Sequence, residues 1–79
     1  MALYRILIVD DEESQRKQLA GFLEKQGFDV ITAASGSEAI RACQERHFEI
    51  ALIDLKMPEM DGIELLGKLK EKSPEMQVI

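Results

Sequence analysis

The sequence predicts an α/β domain, a parallel sheet with helices wound onto both faces. Three observations point there: short apolar runs rich in branched residues recur, helically spaced stretches separate them, and the intervening connections are short. Parallel strands joined this way require right-handed crossovers.

The first strand is expected over Leu3–Val9 (LYRILIV), cut off by the acidic run Asp10-Asp11-Glu12-Glu13. A helix is expected from Glu13 to Gln26, with Leu19, Phe22 and Leu23 at spacings of three and four forming one apolar face. Glu12 and Glu13 favour its N-terminus, Lys25 its C-terminus, and Gly27 suits the C′ position. Gly21 inside that helix costs about 1 kcal/mol relative to alanine.

The second strand is expected over Phe28–Thr32. The next helix opens at Ser35, where a capping box with Glu38 is expected, and presents Ala39, Ile40 and Cys43. The third strand falls in Phe48–Leu55. The third helix starts at Asp61, with Glu64 three residues on, and is expected to bury Ile63 and Leu66 with parts of Leu65 and Leu69. Lys68, Lys70 and Lys72 crowd its last turns, where cations are favoured, and Pro74 ends it. A fourth strand begins at Met76. No linker, low-complexity tract or internal repeat interrupts the order β-α-β-α-β-α-β.

Composition narrows the function classes. The 79 residues hold ten Lys and Arg against fifteen Asp and Glu, a net charge of −5, which disfavours direct contact with a phosphate backbone. No apolar run approaches the roughly 20 residues of a membrane span, and the start lacks a secretory signal pattern. The single Cys43 fits a reducing compartment, so a cytoplasmic location is expected.

The chemistry is expected at the carboxyl ends of the strands, where ligands sit in a doubly wound sheet. The first strand runs into Asp10 and Asp11, and the third ends at Asp54. If those strands are neighbours, three carboxylates converge and repel one another. A divalent cation relieves that repulsion, and an all-oxygen donor set suits Mg²⁺, Mn²⁺ or Ca²⁺. A carboxylate beside such a metal is a plausible phosphoryl acceptor. Any one of these acids alone is better read as favouring a helix start. Asp54, a charge closing an apolar run, is harder to explain by packing. In the loop Lys56-Met57-Pro58-Glu59-Met60-Asp61-Gly62, Pro58 stiffens the chain and the Lys56 carbonyl falls within reach of a metal.

Together, ILIVDDEES, FDVITAASGSEAI and DLKMPEMDGIELL make the chain resemble the receiver domain of bacterial two-component response regulators. The likeness spans the whole sequence and is most specific in Asp-x-x-Met-Pro-x-Met-Asp-Gly, Asp54 to Gly62. It implies a flavodoxin-like (CheY-like) sheet, ordered 2-1-3-4-5 in the family. Here the expected order is 2-1-3-4, with residues 1–79 a truncated receiver lacking the C-terminal α-β-α portion. By resemblance, Asp54 is the phospho-acceptor, and Asp10, Asp11, Asp54 and the Lys56 backbone carbonyl hold Mg²⁺. Asp11 is the direct ligand of the acidic pair, and Asp10 acts largely through water. The implied partners are a sensor histidine kinase, which supplies the phosphoryl group, and a C-terminal output domain of DNA-binding type in the parent protein. The chain would be a phosphoacceptor rather than an enzyme.

Truncation would leave an open strand edge, so self-association is expected. The main alternative is a receiver fragment serving as a non-signalling interaction, dimerisation or fusion piece. A haloacid-dehalogenase-type hydrolase is disfavoured, because it needs an acid two residues after its nucleophile and Lys56 stands there. A nucleotide or flavin binder is disfavoured because the acidic loop after the first strand repels phosphate. Cys43 reads as core, His47 as a surface residue near a helix end, and Met57 and Met60 as loop packing.

Overall fold

The computed structural model describes residues 4–53, 62–72 and 74–78. The elements run β1 (Arg5–Val9), α1 (Glu13–Lys25), β2 (Asp29–Ala33), α2 (Gly36–Glu45), β3 (Ile50–Ile53), α3 (Gly62–Lys72) and β4 (Gln77–Val78). The strands form one parallel sheet in the order β2-β1-β3-β4. Order and direction agree with the expected doubly wound topology. β2 has the expected length but begins and ends one residue later, at Asp29 and Ala33. Phe48 and Met76, placed in strands by the sequence, instead lie just before β3 and β4 and plug the core with no exposure.

Strand alternation divides the core. Leu7 and Val9 face one side with Ala33 and Ala51, packed against Ala39 and Cys43 of α2 and Leu65 and Leu69 of α3. Ile6 and Ile8 face the other side, where α1 lies, beside their register partners Val30 and Thr32. Sequence spacing assigned only part of Leu65 and Leu69 to the interior. Both are fully buried, because they sit one helical turn apart on the side that meets the sheet. Asp61 and the side chains of Ile63 and Leu66 lie outside what is described.

The helix ends follow their local chemistry. The Ser35 hydroxyl accepts from the Glu38 backbone N–H at 3.2 Å, while Glu38 Oε1 accepts from Ala34 N–H at 3.0 Å. The returning bond therefore lands one residue earlier than in the standard capping box. At the end of α1, Gly27 takes φ +97° and its N–H donates to the Glu24 carbonyl, while Phe28 N–H reaches the Leu23 carbonyl. That pair of bonds is a Schellman stop, which needs the left-handed residue glycine supplies.

The expected apolar face of α1 is not covered. No residue of the helix is buried, and Phe22 and Leu19 are 59% and 38% exposed. The half-buried positions are Arg16, Ala20, Gly21 and Leu23, so the helix turns its small residues, not Leu19 and Phe22, toward β2, across a groove also lined by Val30 and Thr32. No described helix is long and apolar enough to cross a membrane.

Candidate functional site

Val9 lies between Ala33 of β2 and Ile53 of β3 in parallel register. The chain therefore leaves β1, β2 and β3 along one edge of the sheet, and Asp10 and Asp11 are the first residues past β1. Asp10 is half-buried, and its N–H donates to the Ala33 carbonyl at 3.1 Å, prolonging the ladder by one residue. Its Oδ1 accepts from Glu12 N–H at 2.9 Å, so one carboxylate oxygen turns the chain into α1. Asp11 is exposed and makes no hydrogen bond or ion pair to another described residue.

The first turn of α1 supplies the counter-charges. Arg16 N–H donates to the Glu12 carbonyl at 3.0 Å, and Arg16 Nη1 donates to the Asp10 carbonyl at 2.8 Å. Lys17 pairs with Glu13 at 2.9 Å, one turn apart. That hydrogen bond, then the charges of Lys17 and Arg16, hold the Glu13 carboxyl below its ordinary value of 4.5. Sequence reasoning did not single out Arg16. The only signal was a cation four residues after Glu12, one turn past the acidic run.

Asp54 follows Ile53 in sequence but, like Lys56, Met57 and Met60, lies outside the described residues. Among the described residues no three His, Cys, Asp or Glu side chains gather to hold a metal. The carboxylates of Asp10 and Asp11 fit a hard cation. Among the described residues, Asp10 keeps one carboxylate oxygen beyond its bond to Glu12 and Asp11 keeps both, oxygen donors of the kind a hard cation takes.

The opposite end of the sheet carries a different set of charges. Arg5 Nε pairs with Asp29 at 2.9 Å, Arg5 N–H donates to Glu49 Oε1 at 2.6 Å, and His47 approaches Glu49 Oε2 at 3.4 Å. His47 is exposed there, as expected of a surface residue near a helix end. Cys43 is buried, also as expected, and burial pushes its thiol up from 9.0.

Comparison with known proteins gives this architecture a context. The family model of the response regulator receiver domain matches residues 6–79. Transcriptional regulatory protein SrrA of Staphylococcus aureus is 44% identical over 66 residues, covering 84% of this chain and 27% of SrrA. The chain thus spans about a quarter of the length of that curated relative. Chemotaxis protein CheY4 of Vibrio cholerae superposes with a TM-score of 0.93 at 30% identity, over 98% of this chain and 66% of that one. Response regulator TrrA of Thermotoga maritima, solved in complex with Mg²⁺-BeF, gives 0.88 at 30% identity, over 96% of this chain and 66% of that one. TrrA in complex with histidine kinase ThkA gives 0.87, again at 30% identity over 96% and 66%.

Proposed function

Since the chain belongs to the response regulator receiver family, whose members are phosphoacceptors in two-component signalling, we propose that Asp54 takes a phosphoryl group from a sensor histidine kinase. An oxygen of the Asp54 carboxylate attacks phosphorus, the bond from phosphorus to the kinase imidazole nitrogen breaks, and the imidazole leaves with that electron pair. Asp10, Asp11, Asp54 and the Lys56 carbonyl are the proposed Mg²⁺ ligands, with Asp11 the direct one of the acidic pair. Mg²⁺, when bound, offsets the negative charge on the transferred oxygens. The Mg²⁺-BeF complex of TrrA supports that choice of cation, and the ThkA–TrrA complex supports a histidine kinase as donor.

One observation carries the reading. Val9 and Ile53 are register partners in adjacent parallel strands, and the next residues in sequence are Asp10 and Asp54. The kinase is proposed to dock beside these loops and on α1, whose Leu19 and Phe22 stand exposed further along the helix. In the parent protein the receiver would regulate a C-terminal output domain of DNA-binding type, as the name of SrrA suggests. The test is incubation with Mg²⁺ and a small phosphodonor, followed by intact-mass measurement. One phosphoryl group is expected on the parent chain and none on Asp54→Asn. An unchanged gain in that variant removes Asp54 from the role.

A second reading, a self-associating interaction piece, is favoured by the uncovered apolar face of α1. It predicts no phosphoryl uptake and a sedimentation coefficient that rises with concentration.

A further inference from the structure

We infer that Arg16 is a positioning residue for the acidic pair, holding the Asp10-Asp11 turn in the geometry that receives the cation. The inference rests on the metal reading above, but its evidence is separate. Asp10 is held at its N–H by the Ala33 carbonyl, at Oδ1 by Glu12 N–H, and at its own carbonyl by Arg16 Nη1. The first two bonds fix where the chain leaves β1 and where α1 begins. The peptide between Asp10 and Asp11 is free to rotate about them unless its carbonyl is held, and that peptide sets where the Asp11 side chain projects.

Arg16 suits this task. Its backbone is set by the first turn of α1, through the 3.0 Å bond to the Glu12 carbonyl, so the helix supplies a rigid base for the side chain. Its guanidinium is planar, permanently charged and half-buried, and reaches the Asp10 carbonyl at 2.8 Å. A partner that orients a ligand in this way commonly governs metal affinity without touching the metal.

The charge of Arg16 makes the inference sharp. A cation beside a cation site repels the metal, so by electrostatics alone its removal strengthens binding. If it positions the turn, its removal weakens binding. The sign separates the two.

The experiment is calorimetric titration of Mg²⁺ into the full chain, with thermal unfolding followed by circular dichroism without Mg²⁺. Arg16→Met is expected to raise the Mg²⁺ dissociation constant roughly tenfold. Arg16→Lys, which keeps the charge but offers a point donor instead of a fork, is expected to lie between Arg16→Met and the parent. A merely structural role lowers the melting temperature and leaves the dissociation constant of the folded fraction alone. Unchanged or tighter binding in Arg16→Met overturns the inference. If that variant does not fold, unchanged binding in Arg16→Lys does so. Asp11→Asn is the control: a parent-like dissociation constant there defeats the metal reading itself, whereas its loss beside an unaltered Arg16 variant defeats only the positioning role.

Discussion

Cys43 lies on the face of α2 that packs against Leu7, Val9 and Phe48, and its thiol is more costly to ionise there than in water. In the unfolded chain the thiol ionises near its ordinary 9.0; in the folded chain it does so higher. Its contribution to stability is therefore complete below 9.0 and is lost as pH climbs through the raised folded value. Cys43→Ala should flatten part of the alkaline fall in stability, read from urea midpoints at stepped pH, while costing some packing at neutral pH. An identical alkaline slope in the variant would refute this. Leu69, wholly enclosed between α3 and the sheet, is a harsher test: Leu69→Ala should cost about 2–5 kcal/mol. Chemistry at this scale was partly legible. A serine before a helix with glutamate three residues on announced the Ser35 cap. The sequence marked Arg16 only as a cation four residues after Glu12, and an arginine at that spacing reads as a solvated side chain rather than a partner of the Asp10 carbonyl.

Among the elements, α1 departs furthest from its pattern. Periodicity located the helix and its glycine stop correctly, but a moment along a helix cannot say which neighbour will cover it. Here Ala20 and Gly21 of α1 face Val30 and Thr32 of β2 across a groove of about 340 Å³, while Phe22 points outward. A methyl group built on Gly21 finds no atom within 4 Å. Gly21→Ala should consequently stabilise the domain by about 0.5–1 kcal/mol, through helix propensity and a less mobile unfolded chain. Gly27 also has room for a methyl, yet its φ of +97° makes alanine there strained. Gly27→Ala should destabilise by about 1 kcal/mol or more. Thermal melts of the two variants should move in opposite directions; a common direction would contradict the assignment of one helix interior and one left-handed stop.

At the scale of the molecule, the parallel sheet follows from the alternation of elements, and the strand order 2-1-3-4 from the family resemblance. The order matters because it makes β1 and β3 neighbours, which is what brings the ends of two acid-terminated runs to one edge. Asp10 and Asp11 drew notice only in combination with Asp54, because an acidic pair after a strand by itself also suits a helix start. The roles of Asp54 and Lys56 rest on motif and register. If the acidic edge does bind Mg²⁺, Asp11→Asn should abolish the rise in melting temperature that Mg²⁺ gives the parent chain, since a ligand that binds only the folded state raises its stability. A similar rise in the variant would place the cation elsewhere.

The most direct measurement is the location of the phosphoryl group. The chain is incubated with Mg²⁺ and acetyl phosphate, the acyl phosphate is trapped by borohydride reduction, and the modified peptide is sequenced by mass spectrometry. The account predicts a single modified residue, Asp54, and no modification when Mg²⁺ is chelated. Modification of Asp10 or Asp11 instead, or labelling of Asp54 that persists at full yield without Mg²⁺, would contradict it.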